Sequence, residues 1–346
     1  MPAVAPPARA LVTGANGFVA AWVVRAYLEE GYSVVGTVRS ASKGNHLKKQ
    51  FASFGDKFEV KVVEDITAPG AFDDAVKGVE IVAHTASPFY MNAKTAHELI
   101  DPAVRGTTGV LESILKNGTS VRRVVITSSV AAILNPPNGG ALDETSWNVN
   151  HPKEVEAKGA DASGSAKYCA SKALAERSAW DFVQQHQPSW DLVTINPSLV
   201  LGPPIHEVSS LDNLNESLKQ LYDVLYKNTM DTKALSENWS QWVNVRDVAK
   251  AHMLAAKTPA AGGERFILNY EKFYWQDMVD EANDIDSSVP AKGAYGATRG
   301  KEVFMTFQRA KAERILGLKF TELHETVRDC MTYFKEFSQK GTKASI

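Results

Sequence analysis

Tyr168 and Lys172 stand four residues apart in Tyr168-Cys169-Ala170-Ser171-Lys172. Residues 165–187 are rich in Ala, Leu, Glu and Lys and contain no Gly or Pro, which predicts a helix. Positions i and i+4 share a helix face, so the ammonium of Lys172 belongs beside the phenol of Tyr168. A free phenol titrates near about pH 10, and a neighbouring cation is expected to lower that value. Such a phenol can give a proton to a carbonyl oxygen or take one from an alcohol. Thr127-Ser128-Ser129 closes a predicted strand, where a hydroxyl could reach the same oxygen. Ser129 is the better candidate, because a strand-end serine bonding its own loop backbone suits Ser128.

The elements that must position these groups begin with Ala10-Leu11-Val12-Thr13, a short apolar strand candidate. Gly14-Ala15-Asn16-Gly17-Phe18-Val19-Ala20 follows, then a helical run to Glu30 closed by Gly31. Strand, glycine turn and helix together form the context of a dinucleotide site. Gly14 permits the tight turn, and Gly17 has no side chain to keep a pyrophosphate from the helix N-terminus. Ala20 stands where close packing favours a third glycine, and a methyl group is expected to be tolerated.

The second strand, 32–38, ends in Arg39-Ser40, with Lys43 four residues after Arg39. An acid here would bind the ribose hydroxyls of NAD, whereas two cations suit the extra phosphate of NADP. A third strand covers 58–63, with Asp65-Ile66 beyond it where an adenine could rest. A fourth covers 80–84 and leads into Thr85-Ala86-Ser87. His84 closes that buried strand and reads as structural. A helical segment covers 96–117, interrupted at Pro102, and further strands cover 122–128 and 191–196, the last broken by Pro197. Residues 135–161 read as a long polar surface loop. Strands alternating with helices predict an α/β fold, a doubly wound (Rossmann) parallel sheet with right-handed crossovers.

The chain has 346 residues, 44% hydrophobic and 23% charged, with a formal net charge of −2. That composition is ordinary for a globular enzyme, and without a basic stripe a nucleic-acid partner is not expected. Cys169 and Cys330 are the only cysteines, and no histidine pair shows metal spacing, so neither a disulfide framework nor a metal site is expected. Residues 1–9 lack the pattern of a signal peptide, which leaves a cytoplasmic location as the default expectation. The dinucleotide-binding domain is expected over 1–200, with a smaller, mainly substrate-binding lobe over 201–346 and segments such as 241–258 able to return to the first domain. The lobe is expected to hold a helix over 211–226, a strand over 241–245 and a strand near 266–269. It is aromatic, with Trp239, Trp242, Tyr270, Phe273, Tyr274 and Trp275. Phe89, Tyr90 and the residues near Met230 and Trp242 are expected to shape the substrate side.

Thr13-Gly-x-x-Gly17, Ser129 and Tyr168-x-x-x-Lys172, in this order, resemble the extended short-chain dehydrogenase/reductase family over essentially the whole chain. Arg39-Ser40, the Leu142-Asp-Glu-Thr-Ser-Trp147 loop and Asn196-Pro197-Ser198 are similar to the branch of dihydroflavonol reductases and yeast NADPH-dependent carbonyl and aldehyde reductases. The resemblance implies an NADP(H) cofactor and a small-molecule carbonyl substrate, an aldehyde or a hydrophobic ketone or keto ester. It implies Tyr168 as proton donor, Ser129 as holder of the carbonyl oxygen, and Lys172 as the group that tunes Tyr168 and binds the nicotinamide ribose. It further assigns Gly14 to Val19 to the diphosphate, Arg39 and Lys43 to the ribose phosphate, Asp65 and Ile66 to adenine, and Pro197 and Val200 to the nicotinamide. Ala86, Ser87 and Thr127 also line the cofactor, and Ser217 matches a lid residue.

Two departures stand out. Ala103 replaces an Asn common on the helix beneath the site, and Ala131-Ala132-Ile133-Leu134 suggests an apolar substrate wall. The competing readings are a nucleotide-sugar epimerase or dehydratase, which would present an acid where Arg39 stands, and a redox-sensing dinucleotide binder, which would lack the Tyr/Lys pair.

Overall fold

The computed structural model describes residues 3–87, 95, 97–137 and 139–343. Phe89 and Tyr90 lie outside the described residues. Along the chain the elements run β1 (Arg9–Val12), α1 (Phe18–Glu30), β2 (Ser33–Val38), α2 (Ala41–Gln50), β3 (Phe58–Val62), β4 (Ile81–His84), α3 (His97–Asn117) and β5 (Arg123–Thr127). Then follow β6 (Gly140–Leu142), α4 (Asn150–Lys158), α5 (Gly164–His186), β7 (Asp191–Pro197), β8 (Leu199–Leu201), α6 (Glu216–Lys227), α7 (Thr232–Glu237) and β9 (Trp239–Asn244). The last are α8 (Val245–Lys257), β10 (Arg265–Leu268), β11 (Glu271–Tyr274), α9 (Trp275–Ile285), β12 (Met305–Phe307) and α10 (Leu323–Lys343).

Seven strands form one parallel sheet in the order β10-β7-β5-β4-β1-β2-β3. All are short, and all but β3 are largely apolar, as strands covered on both faces must be, while β3, Phe58-Glu-Val-Lys-Val62, is a partly exposed edge strand. Alternate side chains feed two cores. Ala10, Val12 and Val34 pack against α1 and α8, while Leu11, Val35 and Val124 pack against α3 and α5. The order reverses between β1 and β4, so the loops leaving these two strands border the crevice where open α/β sheets take ligands.

Four expectations need correction. The strand expected near 266–269 joins the main sheet as β10 beside β7, because Phe266 and Leu268 bury against Val193, Ile195 and Val248. Residues 135–161 are not one loop: β6 pairs with β12, and α4 packs on α5. The helix α4 is polar and buries only Val155 of its own residues, so it carries little apolar periodicity to read. The helix α3 passes through Pro102 without interruption. The helix expected from 211 starts at Glu216, after a separate 3-10 turn over Leu211–Asn213.

The helix α8 returns beneath the sheet against α1, burying Val245, Ala249 and Met253 in the same core as Val23 and Val24. The remaining lobe closes around Leu218, Trp242, Phe273, Trp275 and Met278.

Candidate active site

The turns after β1 and β4 are bonded to each other through Thr13. Its buried hydroxyl accepts from the amides of Thr85 (3.1 Å) and Ala86 (3.0 Å) and pairs with Nδ1 of His84 (2.9 Å). That contact gives His84 the structural position expected of it. Gly14 adopts φ +65°, and a Cβ there would lie 3.0 Å from the Ala86 Cβ, so the turn requires glycine twice over. The amides of Gly14 and Ala15 bond to Thr37 Oγ1 (3.1 Å) and Thr37 O (2.8 Å), which pins the turn to β2. Asn16 is half-buried, and Gly17 then starts α1 with no side-chain cap and no acid in the first turn. The leading amides, at Phe18 and Val19, thus carry the positive end of the helix dipole without a side-chain acceptor, an arrangement that suits an anion. Ala20 is buried in the α1 core, so the methyl group is accommodated.

Arg39 and Lys43 are both exposed, at the end of β2 and the start of α2. Lys43 Nζ lies 3.8 Å from Glu207 Oε2. Asp65 accepts from the amide (2.8 Å) and hydroxyl (2.7 Å) of Thr67. These bonds, with Arg105 and Arg39 nearby, hold its carboxyl below the usual range. Ile66 rests on α3 over Gly106, where a Cβ would sit 3.1 Å from the Ile66 Cδ1.

Tyr168 and Lys172 project from α5, which Ser163 caps by accepting from the Ala166 amide. Lys172 Nζ is 5.8 Å from the Tyr168 ring centroid and donates to Ser87 Oγ at 2.8 Å. Ser129 Oγ accepts from the Ala131 amide at 3.1 Å and stands close enough to the Tyr168 hydroxyl to favour its ionised form.

The electrostatics differ from expectation. Desolvation pushes the Tyr168 phenol up to about 12, against the opposing pull of the Ser129 hydroxyl. Burial also brings the Lys172 amine down to about 8. Loss of water disfavours the charged form of both groups, and for Tyr168 that cost outweighs any help from the neighbouring amine.

The other assigned residues fall into two sets. Ala86 and Ser87 stand at the crevice, and Pro197 ends β7. Ser217 is brought to Val200, whose carbonyl accepts from Ser217 Oγ at 2.6 Å. Thr127 instead spends its hydroxyl on His252 Nε2 of α8, at 2.8 Å. Of the apolar stretch, Ala131, Ala132 and Ile133 are buried, with Ile133 packed on Ile267 and Phe307, while Leu134 is half-buried at the edge of that cluster. Trp242 is core as well, fully buried with Phe273 and Trp275. Met230, by contrast, lines a cavity of about 430 Å³ with Leu199, Gln220, Glu237, Trp239 and Trp275. Glu176 and Asn196 also meet at the back of the site, with Asn196 Nδ2 donating to the Ser129 carbonyl at 3.2 Å. The one sequence signal for Glu176 is its place four residues after Lys172.

Two buried histidines give the fold a pH dependence. Burial lowers His84 from 6.5 to about 4 and His252 from 6.5 to about 3. Between those values and 6.5 the unfolded chain binds more protons than the folded one, so stability is full above 6.5 and is lost as pH falls. Each histidine contributes about 1.4 kcal/mol per pH unit across its window. Urea unfolding at pH 7, 5.5 and 4.5 is expected to show this slope, and His252→Gln should flatten it. An unchanged slope in that variant would remove His252 from the account.

Among the described residues no group of three or more His, Cys, Asp or Glu could hold a metal, and no helix is long and apolar enough to cross a membrane.

Comparison with known proteins identifies the family. Residues 10–269 match the model of the NAD dependent epimerase/dehydratase family. The chain is 35% identical over 347 residues to the ketoreductase azaE of Aspergillus niger, covering 95% of this chain and 98% of that one. It is 35% identical over 343 residues to the NADPH-dependent methylglyoxal reductase GRE2 of Saccharomyces cerevisiae, covering 94% and 98%. The solved yeast methylglyoxal/isovaleraldehyde reductase Gre2 complexed with NADPH superposes with a TM-score of 0.82 at 32% identity, over 96% of this chain and 99% of that one. The chain therefore belongs to the NAD dependent epimerase/dehydratase family, the extended short-chain dehydrogenase/reductases.

Proposed function

We propose that this protein is an NADPH-dependent carbonyl reductase acting on aldehydes and on ketones or keto esters. The observation that carries the proposal is the meeting of Ser129 with the Tyr168 phenol, with Lys172 one turn along the same helix, 5.8 Å from the Tyr168 ring and bonded to Ser87. The uncapped start of α1 and the exposed Arg39 and Lys43 suit a dinucleotide with a ribose phosphate. The reductase names of the relatives support the same cofactor and chemistry.

When bound, the reduced nicotinamide supplies the hydride for the carbonyl carbon. Ser129 Oγ donates to the carbonyl oxygen, and Tyr168 Oη gives that oxygen its proton, so the product is an alcohol. A phenol near 12 stays protonated across the physiological range, which suits a proton donor in the reducing direction. Lys172 holds the ribose side and stands beside Tyr168 to influence its proton. The segment after residue 201 is assigned the substrate side, with Met230 and Trp239 on a cavity of its own beside Leu199. An acid at the ribose would favour an epimerase that retains NAD, and Arg39 occupies that place. Two buried free thiols, Cys169 and Cys330, support a reducing, cytoplasmic setting.

The test is turnover over a panel of aldehydes, diketones and keto esters with NADPH and NADH. NADPH oxidation with at least one activated carbonyl is the expected result. Dinucleotide binding without turnover across the panel would overturn the proposal. Reduction is expected to decline as pH rises through about 8, where Lys172 loses its proton. A flat profile from pH 6 to 10 would remove the charge of Lys172 from the mechanism.

A further inference from the structure

Behind Tyr168 and Lys172 the helix α5 carries a third polar residue at the same spacing, Glu176, and its side chain is fully buried. Its Oε1 accepts from Arg265 Nε at 2.7 Å, Thr194 Oγ1 at 3.1 Å and Trp180 Nε1 at 3.4 Å. Its Oε2 accepts from the Ser128 hydroxyl and from Asn196 Nδ2 at 2.6 Å. One carboxylate thus gathers donors from α5 and from the ends of β5, β7 and β10.

Two of those donors reach onward, Asn196 to the site and Arg265 to the loop at residues 144–147. Asn196 Nδ2 also donates to the carbonyl of Ser129 at 3.2 Å. Arg265 donates from one nitrogen to the carbonyls of Glu144 and Ser146, each at 2.7 Å, and stacks on Trp147 at 3.8 Å. The peptide unit carrying Ser129 is therefore held from behind, through Ser128 on one side and Asn196 on the other.

A buried ion pair is a poor way to stabilise a fold, because desolvation consumes most of the attraction and apolar substitutes are often as good. It is a good way to fix geometry, since every donor is held to one direction by a charge-assisted bond. We infer that Glu176 is a positioning residue: through Asn196 and Ser128 it fixes the Ser129 hydroxyl against the Tyr168 hydroxyl. A misplacement of about 1 Å in such a pair can cost roughly 100-fold in rate.

The inference rests on the reading of Ser129 as the holder of the carbonyl oxygen, so the test is a double-mutant cycle that also measures Ser129 alone. The variants are Glu176→Gln, Asn196→Ala and Ser129→Ala, singly and in pairs with Ser129→Ala. Asn196→Ala cuts a link to Ser129 and leaves the Glu176–Arg265 pair in place, so it remains informative if Glu176→Gln folds poorly.

In folded single variants, kcat is expected to fall about 10- to 100-fold. The NADPH dissociation constant should stay within about threefold of the parent. In the Ser129→Ala background the same changes should cost less than about threefold more, because the group they position is already gone. Losses that multiply in full in that background would overturn the inference, as would an unchanged kcat in Asn196→Ala. Full activity in Ser129→Ala itself would instead remove the reading of Ser129 on which the inference depends.

Discussion

Tyr168→Phe is expected to lower kcat for carbonyl reduction by about 1,000-fold, within the range a positioned general acid supplies. The substitution keeps the ring and removes one oxygen, so packing around α5 changes little. The phenol is half-buried, desolvation pushes it up to about 12, and Ser129 stands beside it. It is therefore a neutral O–H donor beside Ser129. NADPH binding, followed by fluorescence titration, should stay within about twofold, because the expected loss lies in the transition state alone. Ser129→Ala should cost less, about 100-fold, since it removes a hydrogen bond to the developing charge and leaves the proton donor. Full turnover in Tyr168→Phe would refute the assignment of the proton donor, and with it the mechanism.

The second large effect concerns the cofactor. Arg39→Ala is expected to raise the NADPH dissociation constant about 10- to 100-fold and to change that for NADH by less than twofold. A hydrogen bond to a charged group is worth about 1.5–3 kcal/mol, which converts to roughly that factor. Arg39 is exposed at the end of β2, and its field reaches Asp65. Lys43 faces Glu207 at 3.8 Å, so its charge is already partly balanced and its removal should matter less. Parallel titrations of both cofactors would decide the matter, since equal losses for NADPH and NADH would exclude contact with the ribose phosphate. The Arg39 effect should also shrink at high salt, because the residue lies in solvent.

Much of this was legible in local sequence. The strand, the Gly14–Gly17 turn and the start of α1 are dictated by a short apolar run and by a glycine that must take φ +65°. The Tyr168–Lys172 pair follows from helical spacing, which depends on neighbouring residues alone. Arg39 at the end of β2 is likewise a local feature, because a strand of known length puts its next residue at the crevice.

Tertiary packing decided the rest. Sequence spacing placed a cation beside Tyr168 and suggested a lowered phenol, but burial, which depends on elements far along the chain, pushes it up. Residues 131–134 looked like a substrate wall because they are apolar, yet Ile133 faces Ile267 and Phe307 from the far end of the chain. Thr127 sat two residues before Ser129 in sequence, but α8 returns beneath the sheet and takes its hydroxyl. The sequence alone determined which groups could do chemistry and the helix or strand each rides on, because those depend on short-range backbone geometry. Only the folded chain decided how much water each group keeps and which distant donor it meets, because desolvation and long-range hydrogen bonds are properties of surroundings that no local pattern records.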